Sequence, residues 1–223
     1  QGSKAHAKGL QKMGILTESE LKELLEGLDD IMNLWERGEF HIDPAQEDGH
    51  TAIEQYLTEQ LGDVGKKIHT GRSRNDQVLT AMRLYEKTEL EEVLESVKDL
   101  GYQFLGFAKD HEFLPMPGYT HTQPAMLSSV GMWAGAFAEM LALNLPGLKA
   151  ASELVDYCPL GTAAGFGVNL DLPREFVAEE LGFKAPLTVA MTAQNTRGKI
   201  EADVVHALSS VTATVAQFAS DIL

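Results

Sequence analysis

Four polar segments carry the residue types that can move protons or hold a small anion. The first is His69-Thr70-Gly71-Arg72-Ser73-Arg74-Asn75-Asp76-Gln77. With Lys66 and Lys67 it places four of the chain's 18 basic residues within positions 66–74, although the formal net charge is −15. Clustering against the global sign is what capture of a small anion requires. Gly71 permits tight backbone geometry, and Ser73, Asn75 and a following helix N-terminus can donate to carboxylate oxygens. The competing reading is that Asn75 or Asp76 merely caps a helix and the arginines are solvated.

The second segment, Met116-Pro117-Gly118-Tyr119-Thr120-His121-Thr122-Gln123-Pro124, is a loop stiffened by proline and glycine that presents Thr120, His121 and Gln123. Histidine is the side chain suited to proton transfer near neutral pH. A lone loop histidine is also a common surface or capping residue, and His6, His41, His50, His111 and His206 are read as structural. The third segment, Pro159-Leu160-Gly161-Thr162-Ala163-Ala164-Gly165-Phe166-Gly167, superficially resembles a phosphate cradle. It has neither the Gly-x-Gly-x-x-Gly order nor a Walker lysine, which speaks against a nucleotide site. The fourth, Gln194-Asn195-Thr196-Arg197-Gly198-Lys199-Ile200-Glu201, supplies amide, hydroxyl and cationic donors.

These loops must be positioned by helices. Residues 1 to about 77 read as short helices broken by turns. Thr17 and Glu20 form a capping-box pattern, and a second start follows Asp48, with Ile53 and Leu57 pointing inward. From there the periodicity predicts three long helices. The first runs from Asp76 or Gln77 to about Asp110, with Leu90, Val93, Leu94, Val97, Leu100, Phe104, Leu105 and Ala108 on one face. At 1.5 Å per residue it extends roughly 50 Å. The second is expected to start near Pro124 and to break or kink at Pro146-Gly147. The third starts near Ile200 and carries Val204, Leu208, Val211, Val215, Phe218 and Ile222 at alternating steps of four and three. No stretch alternates with period two, so strands are expected to be minor. The prediction is an all-α fold: a small helical N-terminal domain over 1–77, then long antiparallel helices of a bundle over 78–223, truncated in the third long helix.

Composition narrows the partners. With 33 acidic residues against 18 basic, the surface repels nucleic acid and anionic membranes. A single cysteine, Cys158, points to a reducing compartment, and no apolar run approaches the length of a membrane span. The cytoplasm is the expected location.

HTGRSRNDQV at 69–78 and PGYTHTQPA at 117–125 resemble two hallmark segments of the argininosuccinate lyases, within the fumarase/aspartase superfamily. QGSKAHAKGL at 1–10, EDGHTAIE at 47–54 and PLGTAAGFG at 159–167 resemble further segments in the same order. The resemblance implies an anti β-elimination that gives arginine and fumarate, a step of arginine biosynthesis, with neither cofactor nor metal. It implies that Asn75 and Thr120 bind substrate carboxylates, with Ser73 and Arg74 alongside, and that His121 is the catalytic histidine on the acid side of the reaction. Gln123 and Arg197 are implied as further substrate contacts. It also implies a homotetramer whose long helices form a shared bundle and whose active sites draw on three subunits.

The third hallmark of these lyases, a GSSxMPxKxN loop bearing the serine proposed as base, does not occur in the chain. A further N-terminal substrate-contacting serine is not identified. The stretch that usually resembles SMDAxSxRDF reads Ala190-Met191-Thr192-Ala193-Gln194-Asn195-Thr196-Arg197, keeping only the arginine of its polar positions. Two alternatives therefore stay open: an adenylosuccinate lyase-like enzyme, and a catalytically inert helical homologue.

Overall fold

In the computed structural model, which describes residues 1–223, the elements run α1 (Gly2–Lys12), α2 (Glu18–Glu36), α3 (Gly49–Leu61), α4 (Asp63–Lys67), α5 (Arg74–Asp110), β1 (Pro115–Thr120), β2 (Gln123–Ser129), α6 (Val130–Val155), β3 (Tyr157–Cys158), α7 (Arg174–Glu180), β4 (Ala185–Pro186), α8 (Ala190–Asn195) and α9 (Lys199–Ile222). Two compact units result. One comprises Gln1–Tyr85 with Asp156–Arg197, the other Glu86–Val155 with Gly198–Leu223.

In the first unit, α2 and α3 start at side-chain caps. Thr17 and Glu20 close a capping box on α2, and the Asp48 carboxylate accepts from Thr51 N at 2.9 Å to start α3. Leu10, Leu16, Leu24, Leu57 and Ile68 then form one core cluster. Burying a leucine fully contributes about 1.5–3 kcal/mol, so these five side chains set the arrangement of α1 to α4. Gly65 is required there: a Cβ on it would lie 2.2 Å from the Leu57 carbonyl oxygen. A second cluster joins Ala5 of α1 to Cys158, Leu160, Val177, Ala178 and Phe183.

That second cluster explains why the units differ from the division drawn at residue 77. Cys158, Leu160, Val177, Ala178 and Phe183 are buried in one cluster with Ala5 of α1, so residues 156–197 pack with the N-terminal segment, and the boundary on α5 falls after Tyr85.

In the second unit, α6 packs on α9, and Leu90, Val97, Leu141, Leu148, Ala151, Val155 and Val204 form the core. Phe104, Trp133, Phe137 and Phe218 form an aromatic group, with Phe104 and Phe218 edge to face at 4.9 Å. Buried Asn144 is satisfied by two α9 side chains, donating to Thr214 Oγ1 at 3.0 Å and accepting from Ser210 Oγ at 2.7 Å.

The expected helical architecture is present, with two local corrections. Residues 115–129 form an antiparallel hairpin, so α6 starts at Val130 rather than near Pro124. Of the break or kink expected at Pro146-Gly147, the break does not occur: one helix continues through Pro146. Proline leaves the carbonyl four residues earlier without its helical donor, but Ala142 and Pro146 are both exposed, where water can serve that carbonyl.

Candidate active site

The predicted site residues fall into two groups, one in each unit. Ser73, Arg74, Asn75 and Arg197 belong to the first. α5 begins at Arg74, and Asn75 N donates to Ser73 Oγ at 3.3 Å. Arg197 follows α8 and reaches back, its Nη1 donating to Asn75 Oδ1 at 3.3 Å and to Gln194 Oε1 at 3.4 Å. An amide, a hydroxyl and an exposed guanidinium thus meet at the N-terminus of a long helix. That arrangement suits a carboxylate, because the positive end of the helix dipole adds to the cation.

Asp76 decides between the two readings of its own position, and it does more than cap. It is fully buried, and as the third residue of α5 its Oδ1 accepts from Ser73 N at 3.0 Å, the return bond of a capping box whose cap position is Ser73. Its Oδ2 accepts from Gly161 N and Ala163 N, both at 2.9 Å. Gly161 at φ +90° and Ala163 at φ +50° turn their N–H groups toward one point, making a backbone nest for an anion. The glycine-rich segment is therefore an anion cradle after all, and the protein's own carboxylate fills it.

The four clustered cations do not stand free. Lys66 pairs with Asp63 at 2.7 Å, Lys67 with Glu20 at 2.5 Å, and Arg74 with Glu47, while Asp48 lies 3.7 Å from Arg74 Nη1. Arg72 is buried. Its Nη1 donates to Ser3 Oγ at 3.0 Å, and the surrounding donors assign the Gln77 amide an orientation with its oxygen toward Arg72, in which it accepts from Nε at 2.8 Å and donates to His50 Nδ1 at 3.1 Å. Glu54 lies 3.8 Å from Arg72 Nη2 and accepts the His69 ring at 2.7 Å. Burial pulls the Arg72 guanidinium down to about 10, against the pull of Glu54 and Asp76. Of the two arginines in the motif, only Arg74 faces solvent. Ser3, His50, Arg72, Gln77 and Thr80 line a cavity of about 390 Å³.

Thr120, His121 and Gln123 occupy the tip of the β1–β2 hairpin, where Thr120 pairs with Gln123 across the turn. All three are exposed. The two turn residues, His121 and Thr122, have φ of +52° and +61°. A two-residue turn left-handed at both positions matches the twist of the strands, and Asn-Gly usually supplies it. Here a histidine and a β-branched threonine take that conformation, which L side chains avoid. Strain of this kind concentrates where a side chain must be presented for function. The turn pushes the imidazole outward at the end of a rigid ribbon. No group of three or more His, Cys, Asp or Glu side chains converges as a metal site.

Comparison with known proteins places this geometry. A sequence profile of the family described as Lyase matches residues 1–223, the whole chain. The chain belongs to this lyase family. Among curated relatives, the argininosuccinate lyase of Thermotoga neapolitana is 44% identical over 223 residues, covering 100% of this chain and 56% of the relative. That of Sorangium cellulosum is 46% identical over 218 residues, covering 98% and 51%. The chain spans about half the length of the curated relatives it matches. Among solved structures, EDDS lyase in complex with formate superposes with a TM-score of 0.90 at 27% identity, covering 100% of this chain and 43% of that one. A fumarate lyase:delta crystallin from Brucella melitensis bound to cobalt shares the fold, with a TM-score of 0.78 at 18% identity over 99% of this chain and 53% of that one.

For a lyase chain of this kind, sequence reasoning missed two features. One is the pairing of the Gly161–Ala163 nest with Asp76, whose partners lie 85 and 87 residues away. The positive-φ demand of a glycine-rich loop was the available signal, but a nest does not announce its anion. The other is the Ser3–Arg72–Gln77–His50 network, which makes His50 and Ser3 part of the same unit as the Ser73–Arg197 group.

Proposed function

We propose that this chain is the carboxylate-binding and histidine-bearing part of an enzyme that cleaves argininosuccinate to arginine and fumarate. The observation that carries the reading is the meeting of Ser73, Asn75 and Arg197 at the start of α5, in a chain 44–46% identical to argininosuccinate lyases.

The reaction removes a proton next to a carboxylate, forms the C=C bond of fumarate and releases the guanidino nitrogen of arginine. Negative charge builds on that carboxylate, and each donor aimed there is worth on the order of 10²–10³ in rate. The side chains of Asn75, Arg197 and Ser73 supply such donors at the positive end of the α5 dipole. Thr120 holds the second carboxylate and Gln123 contacts the substrate beside it. His121 delivers a proton to the departing nitrogen, which general acid catalysis makes about 10²–10⁴-fold faster. Arg74 steadies the site edge through Glu47 and Asp48. The base is assigned to no residue of this chain.

The enzyme works as a homotetramer in the cytoplasm on a small-molecule substrate, with sites shared between subunits, and uses neither nucleic acid nor membrane. Supporting the assembly are apolar side chains left exposed on the long helices, among them Tyr102, Leu143 and Val205. No helix is long and apolar enough to cross a membrane.

The test is fumarate release by the full-length enzyme. His121→Asn is expected to abolish turnover of argininosuccinate while leaving the helical circular dichroism intact. Near-normal activity in that variant refutes the role of His121. Faster fumarate release from adenylosuccinate than from argininosuccinate refutes the substrate.

A further inference from the structure

We infer that Asp76 is a positioning residue: its carboxylate locks the substrate-binding turn 73–75 onto the glycine-rich loop and so sets where Ser73 and Asn75 meet the substrate. The inference rests on the proposed function and deepens it.

The return bond of a capping box uses one oxygen. Oδ1 of Asp76 makes it, accepting from Ser73 N at 3.0 Å. The bonds of Oδ2 to Gly161 N and Ala163 N contribute nothing to the helix, yet they are as short, at 2.9 Å each. A fully buried carboxylate is stable only when its lone pairs are met, and three backbone N–H groups meet them here. Each such bond to an ionised acceptor is shorter and about twice as strong as a neutral one. The nest in turn requires its anion. Gly161 and Ala163 hold left-handed conformations, and Ala163 does so with a side chain, although an extended path would cost less without Asp76 to bind.

The lock then reaches the substrate groups. Ser73 is held through its N–H, and its hydroxyl accepts from Asn75 N at 3.3 Å, so the backbone that carries both side chains is fixed by Asp76. On the other side of the nest, Gly165 is packed by Gln194: a Cβ on it would lie 2.8 Å from Gln194 Cγ. Gln194 in turn accepts from Arg197 Nη1 at 3.4 Å. One carboxylate therefore bonds directly to the arm of Ser73 and Asn75 and, through the glycine-rich loop packed on Gln194, supports the arm of Gln194 and Arg197. Asp76 itself has no exposed surface with which to touch substrate.

Asp76→Asn and Asp76→Glu in the full-length enzyme test this. The asparagine is isosteric but turns an N–H toward the nest or toward Ser73, whereas glutamate keeps both acceptor oxygens. Because negative charge builds on the carboxylate these donors hold, misplacing them lowers kcat as well as raising KM. The expected result for Asp76→Asn is wild-type circular dichroism and a kcat/KM for argininosuccinate reduced at least about a hundredfold, with kcat itself reduced at least about tenfold. Asp76→Glu, which keeps the acceptor charge, is expected to stay within about tenfold of wild type in kcat/KM. A folded Asp76→Asn enzyme with kcat/KM within about tenfold of wild type overturns the inference. If the asparagine variant does not fold, the glutamate variant decides: a fall of about a hundredfold in its kcat/KM overturns the inference, and a value within about tenfold of wild type supports it. A wild-type enzyme that releases no fumarate overturns the functional reading instead, and that outcome is read before any variant is made.

Discussion

The His6 imidazole lies buried between α1 and the turn before α5, its Nε2–H donating to the Thr70 carbonyl oxygen at 2.9 Å. Burial, reinforced by the nearby Arg72 charge, pushes it down to about 3, and the bond to Thr70 only partly opposes this. His6 is thus neutral when folded and titrates near its ordinary value of about 6.5 when unfolded. Between those values the unfolded chain binds the extra proton, so stability is complete above about pH 6.5 and falls as pH drops through the window. From about pH 7.5 to about pH 5.5 the loss from His6 alone is about 1.4 kcal/mol. His50, lowered mainly by burial, acts in the same direction. His6→Gln can keep an amide donor toward Thr70 without titrating. Urea unfolding of the two proteins at both pH values is expected to show a smaller acid-side loss in the variant, by about 1 kcal/mol. Equal losses would place the titrating group elsewhere.

At the scale of elements, the hairpin shows most clearly what the sequence concealed. Helical periodicity located α2, α3, α5 and α9 because apolar spacing and side-chain caps are local signals. The 115–129 segment has no alternation and holds three prolines, so it read as a stiff loop, and its turn residues are His121-Thr122 instead of Asn-Gly. Pairing of the two strands decides its structure, and pairing is not local. Asp76 was ambiguous for the same reason: its cap to Ser73 was legible, its bonds to residues 161 and 163 were not. At the site, the grouping of Ser73 with Asn75 followed from their neighbourhood in sequence, while the approach of Arg197 depends on how residues 156–197 fold back. The hairpin also yields a stability test. Thr122 holds φ +61° with a β-branched side chain, a conformation costing about 1–2 kcal/mol. Glycine there removes that strain but frees the unfolded chain by about 0.5–1 kcal/mol. Thr122→Gly is therefore expected to raise stability by up to about 1 kcal/mol, read as a higher denaturant midpoint with an unchanged slope. A lower midpoint would show that the threonine side chain contributes more than its strain removes.

At the scale of the whole molecule, two properties oppose each other. A chain with net charge −15 repels its copies, yet its long helices leave large apolar side chains in water, including Leu143 of α6 at 73% exposure and Val205 of α9 at 60%. Exposed apolar surface on this scale is a mark of association, and the direction of its salt response identifies the force involved. Ion pairs between subunits would weaken as the Debye length falls from about 10 Å at 0.1 M salt to about 3 Å at 1 M. Apolar faces on like-charged copies respond the other way, since screening removes the repulsion and leaves the burial intact. Sedimentation velocity is therefore expected to show an assembly that tightens between about 0.1 M and 1 M salt. Leu143→Glu should weaken that assembly at every salt concentration, because a carboxylate replaces an apolar side chain and adds to the repulsion. Its effect should shrink as salt rises but not vanish, the residue being the lost apolar contact. Association that loosens with salt would mean that charge pairing, not these helix faces, holds the copies together.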